Sequence, residues 1–244
     1  FWLRALMGAF QEPGSWVLTA DVDEFLDLPT APDSGNRTPL ESRIAALQEK
    51  GRPHAPGLLL DMMPAPTGSP VTGDNFLTTM DWHYFRPPAD ELGYQDLPPV
   101  QWAFGRYWHV PFSVDIRYRL YGTLDCLRKV PLFRFEHSID LNQGFHTLLR
   151  SGQGMAMDEL LRKDEGLLPV RHYKMAKLFG ERDRTGPAFE RTEHYFGRTR
   201  RNLHEMMSAD ADYAWRCWRA TPFKRRYTGP DTFPYLRDLE PCAS

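Results

Sequence analysis

This sequence predicts an α/β fold, with a mixed sheet flanked by helices and a helical C-terminal region. Three observations carry that prediction. Short apolar runs of strand length end on acids, segments with apolar residues at helical spacing lie between them, and 41% hydrophobic with 13% aromatic residues supplies an ordered core. A chain of 244 residues can form one α/β domain or two small ones and bury a substantial interior either way. The pattern places a sheet domain over residues 1–183 and a helical extension over 184–244.

The elements follow in chain order. Phe1 to Phe10 is apolar with helical propensity, and Glu12-Pro13-Gly14 is a turn signal that closes it. Trp16 to Ala20 is apolar and β-branched and reads as a buried strand whose C-terminal end meets acids, the kind of strand end at which ligands gather in open α/β sheets. Pro29 to Pro39 is a loop by composition, and Leu40 to Lys50 is a helix with Ile44 and Leu47 on its apolar side. Leu58-Leu59-Leu60 leading into Asp61 is a second buried strand. Pro64 to Pro111 is dense in proline and glycine and reads as a long irregular excursion. Further strands are expected over Ile116 to Tyr121, Lys129 to Phe135, Gly144 to Leu149 and Leu167 to Tyr173. From Lys174 onward the spacing is helical, through Met175, Leu178 and Phe179, then Tyr195 to Met206, and finally Tyr213 to Trp218.

A formal net charge of -2 and a pI near 6.5 give no electrostatic case for a nucleic-acid partner or an anionic membrane. The basic clusters Arg198, Arg200, Arg201 and Lys224, Arg225, Arg226 read as solvated faces. Cys126, Cys217 and Cys242 are odd in number and far apart, so neither a disulfide framework nor a zinc site is indicated and a cytoplasmic setting is expected. No run approaches the roughly 18 apolar residues of a membrane span, which leaves peripheral association as the membrane contact to expect.

The chemistry concentrates in WVLTADVDEFLD. Asp21, Asp23 and Glu24 directly follow an apolar strand, where burial penalises carboxylates unless a cation compensates them. In an extended segment residues i and i+2 point the same way, so Asp21 and Asp23 are expected to converge on one ion while Val22 packs on the other side. Mn²⁺ and Mg²⁺ prefer oxygen ligands and keep positions open for substrate phosphates. Glu24 is either a further ligand or holds a basic residue beside the ion. A DxD pair also arises at strand ends for capping and solubility alone.

WVLTADVDEFLDLP resembles the signature segment of bacterial proteins related to glycosyltransferase family 2, in which a tryptophan and a strand lead to DVDEFL. Later blocks follow in matching order. LLLDMMPA resembles the family's LLDMY strand, and IRYRLYGTLDCLRKVPLFRF resembles its RxRxFG…LxKxPLxRF block. GFH resembles its GxH element, and RHYKMAKL resembles its HFK strand and helix. The resemblance runs from Trp16 to about Tyr195 and implies a GT-A fold, a UDP-type nucleotide-sugar donor, a divalent ion, a glycan or lipid-linked acceptor and inversion at the anomeric carbon. It also implies a segment before the tryptophan carrying the first βαβ units that bind the nucleoside base, which this chain is expected to lack.

On that reading Asp21 and Asp23 hold the metal, and His172, late in the chain as in other GT-A enzymes, completes its shell. His146, after the permissive Gly144, reaches a phosphate or sugar hydroxyl, and Lys174 shares a face with His172. Either histidine can equally be a satisfied core or surface residue. Arg117, Arg119 and Lys129 either neutralise the departing diphosphate or pair across the sheet with Asp115 or Glu136. The base that takes the acceptor proton is sought in Asp61 and Asp81, with Asp125 behind them, although Asp61 can also be a cap. Trp82, Tyr84, Phe85, Trp102, Tyr107 and Trp108 either stack on an acceptor sugar or seal a loop onto its core, the commoner use of such rings. Two rival functions share these residues. A metal-dependent phosphoesterase needs a second His/Asp cluster that the sequence does not contain, and a non-catalytic nucleotide- or glycan-binding module needs only the pocket.

Overall fold

A computed structural model of the chain describes residues 2–29, 36–68, 71–84, 120, 128–141, 148–150, 153–154, 168–179, 212–221 and 224–230. The molecule has α/β character and divides into two compact units that interleave along the sequence. The first comprises Phe1–Leu60, Leu127–His172 and Thr228–Glu240, and the second comprises Asp61–Cys126, Tyr173–Tyr227 and Pro241–Ser244. No helix among the described residues is long and apolar enough to cross a membrane.

In the first unit, helix α1 (Trp2–Phe10) ends before the turn Glu12 to Ser15. Ser15 N–H donates to Glu12 O at 3.0 Å, and Gly14 sits at φ +94°. Proline followed by a glycine of positive φ is the chemistry of a type II turn. The turn delivers the chain to β1 (Trp16–Leu18), which lies antiparallel to β5 (Arg128–Arg134) with Trp16 opposite Arg134 and Leu18 opposite Leu132. Strand β3 (His54–Met63) flanks β5 on its other side and is buried along its whole length. Its register with β5 shifts between Ala55 and Gly57, where Leu132 and then Lys129 stand opposite, so β5 carries the extra residue. Pro131 lies in that stretch and has no N–H to donate, which is why an interior strand containing it bulges. Strand β9 (Leu168–His172) pairs with β3 and also, antiparallel, with β2 (Glu24–Leu26).

Helix α2 (Pro39–Glu49) covers this sheet. Thr38 and Glu41 form a capping box, Pro39 takes the first turn where its missing N–H costs nothing, and Gly51 at φ +63° ends the helix. Gly51 N–H donates to Gln48 O at 3.0 Å and Arg52 N–H to Leu47 O at 2.7 Å, a Schellman ending. Leu47 packs in the core with Ala55, Leu132 and Leu168, lined by Trp16, Leu26, Leu28, Leu40 and Ile44. A separate antiparallel sheet orders β6 (Ile139–Leu141), β7 (Leu148–Arg150) and β8 (Gln153–Gly154).

In the second unit, Met62 and Met63 at the end of β3 pair with β4 (Trp82–Tyr84), which pairs antiparallel with β10 (Lys224–Arg226). The region Pro64 to Pro111 was expected to be irregular, yet it contains β4 and the short helix α3 (Phe76–Thr79). Trp82 and Tyr84 are half-buried strand residues, while Phe85, Trp102, Tyr107 and Trp108 lie outside the described residues. Helix α4 (Ala176–Phe179) meets α5 (Tyr213–Ala220) through an edge-on contact of Phe179 and Trp215, with centroids 4.9 Å apart. Trp218 of α5 is fully buried and its indole N–H donates to Pro64 O at 2.8 Å. Within the C-terminal region expected to be helical, α5 is followed by strand β10, whose three cations suit the outer position it takes in the strand order. Of the strand expected over Ile116 to Tyr121, Leu120 alone is described, and it is helical and buried.

Candidate functional site

β1 stops at Leu18, two residues short of the expected run, but Thr19 stays tied to β5. Its N–H donates to Pro131 O at 2.8 Å and its Oγ1 to Val130 O at 3.3 Å. The chain then turns. Glu24 N–H donates to Asp21 O at 3.1 Å, and Asp21 N–H donates back to Glu24 Oε2 at 3.2 Å, so Asp21 to Glu24 form a closed turn before β2 begins. This corrects the extended geometry expected for Asp21 and Asp23: Val22 does not pack behind them but stands fully exposed at the tip. The physical reason is that two backbone and side-chain bonds within four residues outweigh an alternation that has no partner strand beyond Thr19.

The turn sorts its three acids. Glu24 points inward, its side chain 3% exposed, whereas Asp21 and Asp23 keep 46% and 40% of theirs exposed. Lys129 rises from β5 beneath the turn with only 4% exposure, and its Nζ lies 2.8 Å from Asp21 Oδ2 and 2.7 Å from Glu24 Oε1. An inward carboxylate is costly unless paired, and Lys129 is the pairing charge. Partial burial pushes the Asp21 carboxyl up, but the hydrogen bond and charge of Lys129, with help from Glu24 and His172, hold it below the usual carboxylate value. His172 ends β9 directly across from Glu24, and its Nε2 stands 3.6 Å from Asp23 Oδ2, beyond hydrogen-bond reach.

The structure thus brings Asp21, Asp23, Glu24, Lys129 and His172 to one place from three segments of the first unit. Formally, three carboxylates against one ammonium leave an excess of two negative charges. Among the described residues no group of three or more His, Cys, Asp or Glu is disposed to hold a metal ion, so Asp21, Asp23 and His172 are not assembled as a trio. Asp21 is drawn toward β5 by Lys129. Lys129, expected either at the donor's diphosphate or in an ion pair across the sheet, has its ammonium between Asp21 and Glu24 of the turn.

Close by on β9, Arg171 grips Asp27, the residue after β2, through one hydrogen bond, Nη2 to Oδ1 at 2.9 Å, and an ion-pair contact of Nε with Oδ2 at 2.8 Å, and lies over the Phe25 ring at 5.7 Å. Sequence reasoning missed this clamp, although the cross-strand pairing of Phe25 with Arg171 makes it local. The signal for the Lys129 pair was present: a lysine inside the apolar strand KVPLF needs a buried partner.

Asp61 is buried on β3 at 4% exposure. Asp81 accepts from Arg226 Nε at 2.6 Å through its side chain and from Tyr227 N–H at 2.6 Å through its carbonyl. Lys174 is half-buried just after β9. These three belong to the second unit. Arg117, Arg119, Asp125 and His146 lie outside the described residues. Set against protein-family models, curated proteins and solved structures, the chain finds no significant match.

Proposed function

We propose that this chain is a GT-A-type glycosyltransferase that moves a glycosyl unit from a nucleotide-sugar to a hydroxyl of a glycan or lipid-linked acceptor, with inversion. The observation that carries this reading is the exposed pair Asp21 and Asp23 on one turn, above a floor where Lys129 compensates the inward Glu24. Two outward carboxylates with unbalanced charge fit Mn²⁺ or Mg²⁺ by the chemistry of their donors. Such ions are held by one or two carboxylates, keep several waters and take substrate phosphates as further ligands. Asp21 and Asp23 would hold the ion, which when bound supplies Lewis-acid stabilisation to the leaving diphosphate.

The rest of the reaction belongs to the chain and its substrates. The acceptor oxygen attacks the anomeric carbon as the bond from that carbon to the diphosphate oxygen breaks, and the hydroxyl proton passes to a carboxylate. A reducing, cytoplasmic setting agrees with three widely spaced cysteines.

Isothermal calorimetry with UDP tests the reading. Binding is expected to require Mn²⁺ and to weaken at least about tenfold in Asp21→Ala and in Asp23→Ala, the loss of one charge-assisted ligand. Equal affinity in both variants and the parent chain would overturn the assignment of the turn to a metal.

A further inference from the structure

We draw no further inference here: the strongest candidate, the exposed apolar side chains of Phe10, Leu18 and Val22 between the end of α1 and the tip of the acidic turn, carries nothing because nothing in the structure shows what covers them.

Discussion

Lys129 is the residue on which the acidic turn depends. It satisfies two carboxylates of different standing, since Glu24 is inward with 3% of its side chain exposed and Asp21 is half in solvent. Removing the ammonium therefore strands mainly Glu24. Lys129→Met is expected to lose about 3–5 kcal/mol of stability, the cost of leaving one partner of a buried pair uncompensated. Replacing both partners removes the stranded charge, so Lys129→Met/Glu24→Gln should recover more than half of that loss in urea denaturation. A double variant no more stable than Lys129→Met would mean that Glu24 is not the group left exposed to the low-dielectric interior.

At the scale of elements, the bulge in β5 governs how β1, β3 and β9 meet. Gly57 lies beside it, and a methyl group there would come within 3.0 Å of the Pro131 ring and 3.1 Å of Val170 Cγ2. The ring of Pro131 is held by the bulge and Val170 by the pairing of β9, so neither neighbour can yield cheaply. Gly57→Ala is expected to destabilise by about 1–3 kcal/mol, as overpacking does in a close-packed core, and thermal unfolding should register it as a lower midpoint. An unchanged midpoint would show that β3 and β5 can slide apart at this point.

Which elements were legible in the sequence follows from the same physics. The helix expected over Leu40 to Lys50 and the strands expected over Leu58 to Leu60, Lys129 to Phe135 and Leu167 to Tyr173 carry local signals, and their counterparts α2, β3, β5 and β9 appear within a few residues of those bounds. The end of β1 carries no such signal. Where Trp16 to Ala20 stops pairing depends on Thr19 meeting Pro131 and Val130, more than a hundred positions away. The closed turn at Asp21 to Glu24 follows from that stop, which is why an extended DxD was expected and a turn was found. β10 was hidden for a different reason, because Lys224, Arg225 and Arg226 show no apolar alternation and nothing local marks their pairing with β4.

At the scale of the whole molecule, the two units need not respond alike to conditions, and acid is the condition that separates them. His83 lies on β4 of the second unit at 2% exposure, opposite Arg225 of β10 and edge-on to Tyr227 with centroids 6.2 Å apart. Burial pushes its imidazole down to about 4 from an ordinary 6.5. The bond between Nδ1 and the Tyr84 carbonyl at 2.9 Å resists that shift, and the charge of Arg225 adds to it. The folded unit therefore keeps His83 neutral at pH values where the unfolded chain protonates it. Between pH 6.5 and 4 the unfolded state holds more protons, so stability is complete above 6.5 and falls as pH drops toward 4. The loss is on the order of 3 kcal/mol for the single group, enough to matter against the total stability of a small unit. Denaturant melts at stepped pH, read by hydrogen exchange of β4 and β10, should show that loss in the parent chain. His83→Phe removes the titrating group and should flatten the pH dependence over the same window. An equally steep profile in that variant would place the acid sensitivity in other groups.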